Sequence, residues 1–285
     1  MRATPVGRPG AGTAPPADFH VADMIDGVGG FLAGAANVIM QLSWRPVGYG
    51  VLESKVDSGK VTEHPLKRAR TTFTYLAVAL LGTDAERLTY RRAVNRSHAQ
   101  VQSGPDSPVR YNAFDPELQL WVAACLYYGT VDVIERFRGP MDAETADLLY
   151  QAVKPLGTTL QVKPEMWPAD RQEFQRYWEA GIEQIAIDPP VRKYLYELAT
   201  LQFMPLPVRL LQGRSNLFFT TGFLPPPFRQ AMQLPWTAAD DRRFNQVIRL
   251  LATVNRWVPP AVQRFPFNYF LWDFRMRVRF DRPLV

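Results

Sequence analysis

Between His64 and Gly129 apolar residues recur with a helical period, and two breaks interrupt them, which commits this stretch to three consecutive helices. Ala69, Phe73, Leu76, Ala77 and Leu80 fall at i, i+4, i+7, i+8 and i+11, one face of an α-helix. Gly82 is expected to end it in the left-handed conformation that glycine adopts without steric cost. Thr83, with Glu86 three residues on, forms a capping box for a second helix. On that helix Tyr90, Val94, Ser97 and Val101 share a face with His98 on its flank, while Arg92, Arg96 and Ser103 lie opposite. His98 is therefore expected to point inward. Gly104-Pro105-Asp106-Ser107-Pro108 excludes regular structure. Asp115-Pro116 opens the third helix, because aspartate accepts orphan N–H bonds and proline at the first position loses none. Leu118, Trp121, Val122, Cys125 and Leu126 form its apolar stripe, and Gly129 is expected to end it.

The rest of the chain reads the same way. Thr130 caps a short helix ending at Gly139-Pro140, and Asp142 caps another running to Pro155. After an irregular Gly157–Pro168, Arg171–Ile187 is amphipathic with Phe174, Trp178, Ile182 and Ile185 inward. Asp188-Pro189-Pro190 resets the chain for Val191–Phe203. A proline-rich zone containing Pro225-Pro226-Pro227 follows. Thr237 and Asp240 box the start of a long helix to Val258, and Asn268–Arg279 forms the last one. No run of alternating β-branched residues suggests a strand. The expected fold is all-α, a single-domain helical bundle over residues 20–285 behind a disordered 1–19 tail rich in Pro, Gly and Ala. That tail lacks the apolar core of a signal peptide. Met24–Trp44 is long enough to span a bilayer, but Asp26, Asn37 and Gln41 interrupt it. An aspartate in lipid costs roughly 3 kcal/mol, so this segment reads as a buried helix whose glycines admit a close neighbour.

Composition narrows the chemistry. The net charge of +6 comes from 33 basic and 27 acidic residues, densest at Lys67–Arg70, Arg87–Arg96 and Arg275–Arg282. No zinc-finger spacing, RNA-binding motif or basic run accompanies it, so nucleic acid is not an expected partner, while peripheral contact with a membrane stays open. The single cysteine, Cys125, excludes an intramolecular disulfide and suits a cytoplasmic location. There is no glycine-rich phosphate loop and no nucleophile elbow.

Of the three histidines, His20, His64 and His98, no two share a helical face, which argues against a zinc or di-iron cluster. A lone inward histidine is ordinarily a hydrogen-bonded core residue, but a neutral imidazole on a helix also suits an iron ligand. Cys125 is the rival ligand, although its place on a core stripe fits a small hydrophobe equally well. Arg68 and Thr72 stand one helical turn apart on one face, and Arg70 on the next. Lys67, Arg68 and Arg70 either form a solvated first turn or, because cations at a helix start oppose its dipole, invite an anionic partner.

Taken together these residues resemble the mpaB-type and rubber (latex-clearing) oxygenase catalytic-domain family of haem b proteins. The resemblance rests on Arg68-x-x-x-Thr72 opening a helix, and on a following helix with His98 and then Ala-x-Val. Tyr111-Asn112-Ala113-Phe114-Asp115-Pro116 and Leu120-Trp121-Val122 continue it. It extends through Asn37–Pro46 and Gly222-Phe223-Leu224-Pro225 to Arg229, covering roughly residues 25–260. The chain differs in reading Trp44-Arg45-Pro46 where many members carry His-Pro, and in a shorter interval between the Arg/Thr pair and the histidine. The resemblance implies a globin-like, all-helical core binding haem b through His98 as the iron ligand. With no Cys-x-x-Cys-His motif, that haem is expected to be non-covalent. Arg68 and Thr72 would lie on the distal side, with Arg70 reaching a propionate. The implied activity is a haem-dependent oxygenase or oxidoreductase using dioxygen on an apolar, isoprenoid- or lipid-like substrate. A haem binder for sensing or storage, or a haem-free scaffold, are the competing expectations.

Overall fold

The computed structural model describes residues 19–54, 56 and 63–285. In chain order the helices are α1 (Val21–Met24), α2 (Gly27–Leu42), α3 (Arg45–Leu52), α4 (Pro65–Leu81), α5 (Asp84–His98) and α6 (Pro116–Arg138). They continue with α7 (Ala143–Ala152), α8 (Pro155–Thr158), α9 (Arg171–Glu183), α10 (Pro189–Ala199) and α11 (Leu206–Phe223). The last are α12 (Pro226–Met232), α13 (Ala238–Asn255), α14 (Pro260–Gln263) and α15 (Phe267–Arg279). Among the described residues the only extended pairing is an isolated bridge between Gln102 and Asn112. The fold is all-α. Apart from Phe19, the expected 1–19 tail lies outside the described residues.

Local chemistry sets the helix starts. Thr83 and Glu86 form a reciprocal capping box, as do Thr237 and Asp240. Asp115, Asp142 and Asp170 each accept a hydrogen bond from a first-turn N–H. Asp26 does the same for Gly29 at 2.8 Å, and its other carboxylate oxygen accepts from Asn255 of α13, so this buried acid is both a cap and a tertiary link.

The core is a layer of α2 against α6, flanked by α11 and α13. At its centre Trp121 is fully buried and stacked on Trp44 at 4.6 Å and on Trp178 at 5.3 Å. Among the described residues no helix is long and apolar enough to cross a membrane, and Met24–Trp44 is divided between α1 and α2, whose Ala36, Ile39 and Met40 are buried.

Several sequence expectations are corrected. Gly129 does not end a helix: α6 runs unbroken through it to Arg138. A side chain at 129 would collide with the Asn37 amide, which donates to the Cys125 carbonyl at 2.8 Å, so the glycine serves a close helix crossing. Gly82 ends α4 with φ −80 and ψ 162, an extended rather than left-handed conformation. Glycine suits that place because a Cβ would lie 2.5 Å from the Val78 carbonyl oxygen. Helix α5 stops at His98, leaving Val101 and Ser103 in the loop that follows. Finally, the proline-rich zone holds α11, in which Pro207 occupies the first turn and so removes no intrahelical bond.

Candidate functional site

Helices α4 and α5 are joined only by Gly82 and Thr83, and they fold back on each other. Tyr90 donates its hydroxyl to the Thr71 carbonyl at 2.7 Å, and Arg87 donates to the Ala79 carbonyl at 3.0 Å. This antiparallel register brings the start of α4 beside the end of α5, and so Arg68 near His98.

His98 is half-buried. Its Nδ1 is sealed from water without a hydrogen-bond partner, and no hydrogen bond reaches either ring nitrogen among the described residues. Desolvation, reinforced by the Arg68 charge, pushes its pKa down to about 4. The imidazole is therefore neutral at physiological pH, with a lone pair free.

Arg68 is reached by solvent, yet burial among protein atoms is what lowers its pKa most, with the Tyr194 and Tyr90 hydroxyls opposing. The guanidinium has no carboxylate partner among the described residues, although arginine keeps its charge. Thr72, one turn on, is half-buried, and its hydroxyl makes no hydrogen bond among the described residues. The neighbouring Thr71 hydroxyl is taken up by the Arg68 carbonyl at 3.0 Å.

Arg70 is engaged elsewhere. It donates to the Leu284 carbonyl at 3.2 Å and lies near Arg277 and Asp273, so the structure does not bring it to His98. Cys125 is fully buried, and desolvation raises its thiol pKa well above the ordinary value, which disfavours a ligating thiolate. Among the described residues no three metal-ligating side chains come together.

The segment after α5 buttresses the histidine. Ala113 N–H donates to the Val101 carbonyl and Ser103 N–H to the Tyr111 carbonyl, both at 2.9 Å. This pairing sets the Phe114 ring edge-on to His98, with centroids 6.4 Å apart. Asn95, one turn before His98, accepts from Gln161, whose own amide oxygen accepts from Gln119, and Gln119 also donates to the Ala113 carbonyl. Tyr194 arrives on α10, which is moored by Asp188 to Arg45 at 2.9 Å and to Tyr49 at 3.0 Å. The sequence reading missed Tyr194 and the Asn95–Gln161–Gln119 relay. The Tyr111–Pro116 motif was the one available signal for Phe114.

Comparison with known proteins identifies the family. The profile of the family described as ER-bound oxygenase mpaB/B'/Rubber oxygenase, catalytic domain, matches residues 23–256. "Uncharacterized protein Mb2261" of Mycobacterium bovis and "Uncharacterized protein Rv2237" of Mycobacterium tuberculosis are each 53% identical over 251 residues, covering 88% of this chain and 98% of theirs. No solved structure gives a significant match. The profile match takes in α2 through α13, including Arg68, Thr72, His98 and the Tyr111–Pro116 buttress, and on that evidence the chain belongs to the mpaB/rubber oxygenase catalytic-domain family.

Proposed function

We propose that the chain is a haem b-dependent oxygenase acting on an apolar, isoprenoid- or lipid-like substrate, with His98 as the iron ligand and Arg68 and Thr72 facing the reacting oxygen. The observation that carries this reading is the neutral His98 imidazole, partnerless among the described residues, beside the uncompensated Arg68. Buried polar nitrogens are nearly always hydrogen-bonded, and an orphaned imidazole nitrogen is a place where a ligand can bind. The donor set fits a haem: one imidazole suffices where a porphyrin supplies four equatorial nitrogens, and the imidazole need not shed a proton first.

When bound, the haem would supply the redox-active iron at which dioxygen is activated. The chain's own residues do the rest. The Phe114 ring stands edge-to-face with His98, which favours this orientation of the imidazole. Arg68 holds a positive charge close enough to act on His98, where it would favour negative charge developing on oxygen or a carboxylate. Thr72 offers a hydroxyl one turn away that can donate to the same group.

A visible spectrum of the purified chain after haem addition tests the first half. A Soret band is expected, with its loss in His98→Ala; a chain that develops no band carries no haem function. Oxygen uptake with a panel of unsaturated lipids tests the second half. Uptake in the wild type that falls by about a hundredfold in Arg68→Ala is expected, whereas a haem-loaded chain silent across the panel is a binder without turnover.

A further inference from the structure

The last three helices carry both arginines and exposed aromatic side chains. Residues 238–285 contain nine arginines and four aspartates, with no lysine or glutamate, a surplus of five in a chain whose total is +6. Most of the net positive charge therefore lies in this segment. The same segment exposes Trp257 at 88%, Phe265 at 57% and Trp272 at 55% of their surfaces. Phe265, Tyr269 and Trp272 form a continuous outward run, with centroids 6.2 and 5.9 Å apart. On α13 Leu250 and Val254 are exposed one turn apart, leading to Trp257, and Arg249 and Arg256 alternate with them. Gln263 ties α14 to the end of α13 through the Asn255 and Val258 carbonyls, which holds the two groups together. The acids that reach this region from other elements, Asp23 and Glu86, are already held by Arg264 and Arg275. Arg249 and Arg256 have no ion-pair partner among the described residues.

We infer that this face is a peripheral docking surface for an anionic lipid bilayer. Tryptophan and tyrosine with their apolar bodies exposed, set among unpaired arginines, match a headgroup layer over acyl chains. A second copy fits poorly, since a two-fold contact would oppose arginine to arginine. The aliphatic Leu250 and Val254 offer nothing to a nucleic acid but have a place in lipid. With no membrane-crossing helix among the described residues, the attachment would be in the plane of the interface. An enzyme seated there would meet an apolar substrate in the phase where it dissolves.

The test is co-sedimentation of the full chain with phosphatidylcholine vesicles, with and without phosphatidylserine. Binding to the phosphatidylserine vesicles that weakens with salt is expected. Trp257→Ala with Trp272→Ala should weaken it by about tenfold or more. Arg249→Gln with Arg256→Gln should weaken it by roughly thirtyfold on anionic vesicles and far less on neutral ones. Both pairs alter exposed side chains, and an unchanged circular-dichroism melt confirms folding. No binding to either vesicle, or equal binding by the tryptophan pair, overturns the inference. So does a concentration-dependent dimer that those tryptophan changes abolish, because it assigns the face to a second copy.

Discussion

The Tyr90 hydroxyl and the Thr71 carbonyl meet at 2.7 Å, bridging the middle of α5 to the Arg68 end of α4. Tyr90 is fully buried, and burial raises its pKa, so it remains a donor at any physiological pH. Tyr90→Phe keeps the ring packing against Phe274 and removes only the bond. A loss of about 1 kcal/mol is expected, read as a lower urea midpoint at unchanged slope. An unchanged midpoint would mean that the hairpin does not depend on this bond.

Gly129→Ala separates two roles by sign. A glycine exposed within a helix costs about 1 kcal/mol relative to alanine, so the substitution would stabilise if Gly129 were there by default. Against the Asn37 amide the new methyl has no room. Destabilisation by about 1–3 kcal/mol is expected from thermal melts. Asn37→Ala in the same chain should recover part of it, since the colliding group is gone.

The His98 titration makes the haem-free chain acid-sensitive. Its pKa is about 4 when folded against 6.5 ordinarily. Between those values the unfolded chain binds a proton that the folded chain refuses, so stability falls as pH drops from 6.5 and the loss is complete below 4. The contribution amounts to about 3 kcal/mol at most. His98→Gln should flatten that part of the stability–pH curve, as measured by denaturant titrations across the window. A curve as steep as the wild type's would place the responsible proton on another group.

Arg68 contributes to the same depression, but less than burial does. Arg68→Met should therefore move the His98 pKa upward by less than half of the distance back to 6.5. The imidazole proton signals in an NMR pH titration read it directly. A downward move, or none, would separate the two residues further than their register suggests.

Those parts of the fold with a local cause were legible in the sequence. The Thr83–Glu86 and Thr237–Asp240 boxes and the Asp115-Pro116 start are decided within four residues, and each sits where the spacing puts it. Glycines misled because their role was set at a distance: Gly129 answers to Asn37, ninety-two positions earlier. Helix α11 was not predicted, because its zone was noted only for its prolines, although Pro205 and Pro207 merely frame its beginning. At the site, the sequence marked the two helices that carry Arg68 and His98, but not that they fold back on each other. It did not mark Tyr194, since only the Asp188 mooring of α10 brings it there. Nor did it mark the diversion of Arg70 to Leu284, a carbonyl 214 residues away.

The two-residue elbow at Gly82-Thr83 leaves the hairpin no slack. With 3.6 residues per turn, one residue inserted there turns every side chain of α5 by about 100° relative to α4. The imidazole would then swing to a different quadrant while Arg68 stayed in place. The spacing between these two groups is thus kept by counting along the chain, as a ruler keeps distance.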